Sequence, residues 1–264
     1  MLILLSPAKT LDMQTPSRVK EPTIPAFLPE SEKLVRTLKR YSRDALGELM
    51  HLSDSLAQLN ADRYKQWSPQ SGDSLARPAI QAFRGDVYVG LDVDTLSKTD
   101  LNYAQKHIRM LSGLYGVLRP FDLMQAHRLE MGTALKTRRG ESLYEFWGDR
   151  ITDHLNDELS PGKTQLIVNL ASNEYFKSVR RSKLVVPPVS PVFKDEKNGN
   201  YKVISFFAKK ARGAMARHLI KTRARAPEDI LAFSELGYRF DEESSSEAQP
   251  VFLRSAKAAE PYLA

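Results

Sequence analysis

The chain has 264 residues, 42% of them hydrophobic, and 39 Lys and Arg stand against 32 Asp and Glu for a net charge of +7 at neutral pH. This length and composition suit one large domain or two small ones with a true core, and the basic balance favours polyanion partners: nucleic acid, nucleotides or an anionic surface. The absence of cysteine excludes disulfides, thiolate metal sites and cysteine nucleophiles, and no run approaches the ~18 apolar residues of a membrane helix.

Met1-Leu2-Ile3-Leu4-Leu5 is apolar, lacks a basic lead and stops at Ser6-Pro7. It reads as a buried central strand rather than a signal peptide, and a cytoplasmic home is the default. The loop after a buried parallel strand is where α/β folds place ligands. Lys9 in that loop suits a phosphate, a carboxylate or simply solvent, and the glycines of a P-loop are missing. Pro16, Pro22, Pro25 and Pro29 mark an extended surface crossing. From Glu30 to Asp62 the pattern is helical: Leu34, Val35 and Leu38 make one face, and Leu46, Leu49, Met50, Leu52, Leu56 and Leu59 continue it toward the core. Ser68 to Asp73 is a polar loop, Ala76 to Phe83 is helical again, and Gly85 to Leu91 is a short strand or turn bounded by glycines. Asp86, Asp92 and Asp94 lack the spacing of a calcium loop and read as turn and cap residues.

Leu101, Ala104, Ile108 and Leu111 then recur at helical steps from a start near Asp100. Ser112-Gly113 stops this helix, Gly113 and Gly116 bracket Leu114 and Tyr115, and Pro120 forbids a long continuation. Two readings stay open. One is a hairpin whose bare backbone N–H groups meet phosphate, as in helix-hairpin-helix DNA-binding elements, although their turn has one residue between its glycines rather than two. The other is a helix end followed by a buried strand, Leu114 to Leu118. Asp122, His127, Arg128, Glu130 and Gly132 form a dense polar set. Arg128 and Glu130 flank Leu129 and would share one face of a strand, while a lone histidine beside an arginine is more often structural.

Leu143 to Trp147 opens an aromatic helix running to about Leu159, a packing element. Leu166 to Leu170 is a second buried strand, and Ser172, Tyr175 and Lys177 after it repeat the arrangement of Ser6 to Lys9. Pro187, Pro188 and Pro191 break the chain, and Asn198-Gly199 marks a hairpin whose returning strand is Tyr201 to Phe207. A basic amphipathic helix follows with Lys209, Lys210, Arg212, Arg217, Lys221, Arg223 and Arg225, and no acid lies between Tyr201 and Pro227. Its polar face is open to phosphate or to solvent. Asp241-Glu242-Glu243 is a short acidic block, and the tail from about Lys257 reads as disordered. With no internal repeat and no dividing linker, residues 1–264 are expected to form a single domain.

Several stretches together resemble the peroxide-stress protein YaaA family: Ser6-Pro7-Ala8-Lys9-Thr10-Leu11, Gly85-Asp86-Val87-Tyr88, Arg109 through Pro120, Arg128-Leu129-Glu130-Met131-Gly132, Asn169-Leu170-Ala171-Ser172 and Ala208-Lys209-Lys210-Ala211-Arg212-Gly213. The resemblance covers essentially the whole chain. It implies a cytoplasmic bacterial protein of the hydrogen peroxide response that limits damage linked to free iron. It also implies a single-domain mixed α/β fold, a central mixed sheet flanked by helices, with a basic cleft and a helix-hairpin-helix-like element that binds DNA.

Three functions are weighed. A DNA-binding protein, gripping duplex or distorted DNA, would use Arg109, Gly113, Leu114, Tyr115, Gly116, Arg119, Lys209, Lys210 and Arg212. An enzyme acting on a nucleotide or nucleobase would use Ser6, Lys9, Arg128, Glu130 and Ser172, with Tyr115 and Lys209 beside them, because a carboxylate among cations suits acid–base work. Direct iron binding is disfavoured, since His51, His107, His127, His154 and His218 show no ligand spacing. Neither a metal site nor a cofactor is expected, and the oligomeric state stays open. The discriminating observation is whether Lys9, Glu130 and Lys209 meet in one pocket.

Overall fold

A computed structural model describes residues 1–70, 75–159 and 166–262, so residues 71–73 of the polar loop lie outside the described residues. The chain is a mixed α/β protein. Its main sheet contains β1 (Leu2–Leu5), β2 (Ile108–Ser112), β3 (Gly116–Leu118), β4 (Ile167–Asn169) and β5 (Pro188–Val189), in the order β3-β2-β1-β4-β5. β1 lies at the centre, parallel to β2 on one side and to β4 on the other. All four of its residues are buried, which explains why its sequence is continuously apolar rather than alternating. A second sheet, β6 (Val192–Lys197), β7 (Asn200–Lys202), β8 (Arg239–Ser246) and β9 (Gln249–Arg254), has the order β7-β6-β9-β8. Asn198 and Gly199 both take positive φ and close the β6–β7 hairpin, as the Asn-Gly pair requires.

The helices that frame the sheets are α1 (Leu28–Leu38), α2 (Arg43–Met50), α3 (Asp54–Gln66), α4 (Asp86–Leu91), α5 (Lys98–His107), α6 (Arg150–Glu158) and α7 (Ser205–Thr222). Among the described residues, none is long and apolar enough to cross a membrane. α7 packs closely on α4 at two glycines. A Cβ on Gly213 would overlap the Val87 carbonyl, and one on Gly90 would overlap the Lys210 carbonyl.

Several elements differ from the sequence reading. The helix expected through Leu111 ends at His107, because Ile108, Met110 and Leu111 enter the main sheet as β2, paired with β1 and β3. Gly113 to Gly116 is therefore the link between two strands, with no second helix after it. The helix-hairpin-helix element expected between Asp100 and Pro120 is not formed there. Leu114 and Tyr115 are buried, the Tyr115 N–H is taken by Ser112 Oγ at 3.1 Å, and the Gly113 carbonyl accepts from Trp147 Nε1 at 3.0 Å. Of the alternative, a helix end followed by a strand from Leu114 to Leu118, the fold keeps only the buried strand, which runs from Gly116 to Leu118 and follows a strand rather than a helix.

Ala76 to Phe83 is not one helix but a short strand, a helical turn and a second short strand. Gly85 starts helix α4 instead of a strand. Its φ of 129° is open only to glycine at low cost. In α3 the core face is Ala57, Asn60, Ala61 and Tyr64, so Leu56 and Leu59 are exposed at 37% and 42%. The returning strand stops at Lys202, and α7 already begins at Ser205. The tail is ordered through Tyr262: Ala256–Ala259 is a helical turn capped by Ser255, and Ala259 is buried.

The basic helix meets an acid from a distant element. Asp100 on α5 receives Lys221 Nζ at 3.0 Å and Arg223 at 2.8 Å, and it closes a capping box with Ser97. Burial alone would raise its pKa, but the hydrogen bonds from Ser97, Lys221 and Arg223 outweigh burial and hold the carboxyl well below the usual range. A depressed folded pKa stabilises the fold above about pH 4, and that contribution drains away as pH falls toward the folded value. Asp100→Asn is expected to cost about 1–3 kcal/mol at pH 7 by denaturant unfolding. It should also flatten the loss of stability below about pH 4.

Candidate functional site

The loops leaving β1 and β4 sit side by side because the two strands are parallel neighbours. The Ser172 N–H donates to Ser6 Oγ at 2.9 Å, their hydroxyls are 3.3 Å apart, and Tyr88 Oη donates to the Ser6 carbonyl at 3.0 Å. The chain turns away in opposite directions on either side of β1, and crevices at such points are the usual ligand sites of open α/β sheets. Here the crevice is a cavity of about 600 Å³, lined by the Ser6–Thr10 loop, by Arg84 to Tyr88, by His127 to Glu130, by Ser172 to Tyr175, and by Lys209 and Arg212 of α7. That volume lies within the ~300–1,000 Å³ typical of small-molecule sites.

Residues 127–130 belong to no helix or sheet, and their burial alternates. His127 and Leu129 are buried, whereas Arg128 and Glu130 face outward together, as their alternation predicts. Glu130 is the hub of the charged wall: Lys9 Nζ is 3.0 Å away and Arg128 3.1 Å. Nearby, Glu174 accepts the Gly132 N–H at 3.0 Å. Burial, reinforced by the charges of Glu174 and Glu130, pushes the Tyr175 phenol far up, so it stays protonated.

Arg212 and Lys209 differ from Arg217, Lys221 and Arg223, while Lys210, half-buried on the same helix, does not line the cavity. Arg217 is bonded to the carbonyls of Leu91 and Asp92, and Lys221 and Arg223 are paired with Asp100. Lys209 and Arg212 line the cavity with no carboxylate partner among the described residues. Burial lowers the Arg212 pKa from its ordinary value. A desolvated guanidinium without a counterion is a place for an anion.

Thus Ser6, Lys9, Arg128, Glu130, Ser172, Lys209 and Arg212 converge on one cavity, and Lys9, Glu130 and Lys209 meet there. The remaining sequence-predicted residues do not line it. Arg109 is buried and held by Glu158 at 2.5 Å. Arg119 is paired with Asp122 at 3.1 Å. Gly113, Leu114, Tyr115 and Gly116 are packed in the core. Gly113 presses against the Leu129 carbonyl, so a bulky residue there would test folding rather than DNA contact. Lys177 lies over the Tyr144 ring. Arg84 and Glu174 escaped the sequence reading, although Glu174 follows Ser172 by two positions and Arg84 adjoins the Gly85 signature. His127 was read as structural, yet it lines the cavity. Among the described residues, no group of three or more His, Asp or Glu stands close enough to hold a metal ion.

Because Glu130 neutralises both Lys9 and Arg128, Glu130→Gln frees two cations. Inorganic phosphate is expected to bind about 3- to 10-fold tighter to this variant in an equilibrium titration.

The class defined by this fold and site is an α/β protein with a mixed-charge cavity at the carboxyl edge of its sheet. The chain belongs to the peroxide stress protein YaaA family, whose profile matches residues 1–244. It is 53% identical over 261 residues to a UPF0246 protein of Marinomonas sp. (strain MWYL1), a match spanning 99% of each chain. It is also 52% identical over 257 residues to a UPF0246 protein of Shewanella amazonensis (strain ATCC BAA-1098 / SB2B), spanning 97% of this chain and 100% of the relative. The family membership supports a stress-response role.

Proposed function

We propose that the protein serves the peroxide response by holding a phosphate-bearing nucleotide in the cavity at the ends of β1 and β4. The observation that carries this reading is the convergence of an ion-paired Lys9–Glu130–Arg128 wall with two cations, Lys209 and Arg212, that have no acidic partner among the described residues, on one space of nucleotide size. The cations meet the phosphate. Glu130, Glu174 and the Ser6 and Ser172 hydroxyls supply polar groups for the remainder of the ligand. Any iron-linked protection would then act through the bound ligand.

A DNA strand is the second reading, favoured by the net charge of +7 and by the exposure of Lys209 at the cavity. A nucleotide within a strand presents the same phosphate chemistry as a free one. The test is an anisotropy titration of labelled nucleoside monophosphate and of labelled duplex, bulged and single-stranded DNA across a salt series. A free nucleotide is expected to bind with a salt slope of about 1–2, whereas a DNA interface of several phosphates would give a far steeper one. Failure of every nucleotide to bind at low salt would overturn the cavity reading, and steep binding of DNA alone would establish the second.

A further inference from the structure

On the reading that the cavity holds a nucleotide, we propose that His127 Nε2 is the hydrogen-bond acceptor that reads the ligand's base, selecting a nucleobase that carries an exocyclic amino group.

Ring chemistry fixes which nitrogen is free. His127 Nδ1 lies 2.8 Å from the Gln125 carbonyl oxygen. A carbonyl only accepts, so Nδ1 carries the hydrogen, and in the neutral ring Nε2 is left as a bare acceptor. Burial, the largest influence, holds the His127 pKa down to about 4 against the opposing pull of the Gln125 bond, with Arg63 lowering it slightly further. The ring therefore stays neutral at physiological pH.

The imidazole is also built into place. The Tyr115 ring packs edge-on against it, with centroids 5.3 Å apart. Tyr115 Oη in turn accepts from Trp67 Nε1 at 2.9 Å and from the Gln125 N–H at 3.0 Å. Gln125 thus links to both the ring and its support. Such a clamp suits a recognition group, because it fixes the lone pair's direction before any ligand arrives.

Nε2 has no partner among the described residues, yet it is not sealed from solvent. Only 8% of His127 is exposed, and the residue lines the cavity. A ligand seated in that cavity is the partner available to Nε2. A ligand that fills the space without offering a donor leaves this acceptor dry and unpaired, which is costly. The cations at Lys209 and Arg212 ask for a phosphate, and Nε2 asks for an N–H. An aminated nucleotide brings both, and the ring N–H of a uracil or hypoxanthine is the competing donor.

The experiment uses the full chain labelled with ¹⁵N-histidine, observed by long-range ¹H–¹⁵N correlation between pH 6 and 8. The expected spectrum shows His127 as the Nδ1–H tautomer. Adenosine, cytidine and guanosine 5′-monophosphates are then added, each beside its counterpart lacking the amino group (the purine riboside, pyrimidinone riboside and inosine nucleotides), with inorganic phosphate as a further arm. At least one aminated nucleotide is expected to move the Nε2 resonance and to bind about ten-fold or more tightly than its counterpart. In His127→Phe the pair should come to parity while phosphate still binds. An Nε2–H tautomer would overturn the assignment. So would nucleotides that bind equally with and without the amino group and leave Nε2 unmoved, a result in which the nucleotide cavity survives and His127 does not read the base. If neither nucleotides nor phosphate bind, both readings fall together. The spectra of the unsubstituted chain decide the matter even if His127→Phe does not fold.

Discussion

Replacing Gly213 by alanine is expected to lower the unfolding free energy by about 3 kcal/mol or more, a large share of the ~5–15 kcal/mol that holds a typical domain together. The cause is the contact between α4 and α7. Gly213 faces the Val87 carbonyl and Gly90 faces the Lys210 carbonyl, so the two backbones touch where neither has a side chain. An added methyl group meets backbone, which has no rotamer to yield with, and the helices must separate. The damage reaches the site as well, because Lys209 and Arg212 ride on α7 while Asp86, Val87 and Tyr88 ride on α4. Gly47 supplies the control. It sits inside α2 with its nearest added contact at 3.5 Å, an ordinary van der Waals distance. There alanine should stabilise by about 0.5–1 kcal/mol, since it is the better helix former. Paired thermal melts of the two variants read the opposite signs directly. Equal and small shifts would mean that the α4–α7 crossing is looser than described.

The double variant Lys209→Ala/Arg212→Ala is expected to weaken binding of a nucleoside monophosphate by about 100-fold or more, two charge-assisted phosphate contacts being lost at roughly 1.5–3 kcal/mol each. Its stability should move the other way or not at all. Neither cation has an acidic partner among the described residues, and burial already works against the charge of Arg212. Removing an uncompensated buried charge relieves a cost. By contrast, Arg223→Ala removes a cation paired to Asp100 at 2.8 Å, so it should destabilise the fold while leaving nucleotide affinity nearly unchanged. Titration calorimetry and denaturant unfolding on these two variants separate cations kept for a ligand from cations kept for the fold.

Much of the site was legible along the chain. The β1 strand, the Ser6–Lys9 loop and its counterpart at Ser172 follow from apolar runs that end in small polar residues, and the parallel pairing of β1 with β4 brings the two loops together. Arg128 and Glu130 share a face, as the alternating burial of residues 127–130 shows. What failed was local periodicity overruled by tertiary pairing. Ile108 and Leu111 fit a helix at their spacing, yet the same residues are apolar enough to lie buried in a sheet, and β1 was waiting beside them. The hairpin at Gly113–Gly116 thereby became core. The basic run after Tyr201 misled in another way. It holds no acid of its own, and Asp100, about 120 positions away by the separation to Lys221 and Arg223, neutralises part of it. Sequence-local charge counts cannot see such a partner. Arg84 and Glu174 escaped because they reach the cavity from a short strand and a helical turn too brief to show a period.

The central claim concerns where a phosphate sits, and a crystal of the full chain grown with a nucleoside 5′-monophosphate addresses it most directly. The account predicts the phosphate within hydrogen-bond reach of Lys209 Nζ and the Arg212 guanidinium, inside the space bounded by Ser6, Glu130 and Ser172. A nucleotide ordered elsewhere on the chain, with Lys209 and Arg212 left facing solvent at saturating ligand, would contradict it.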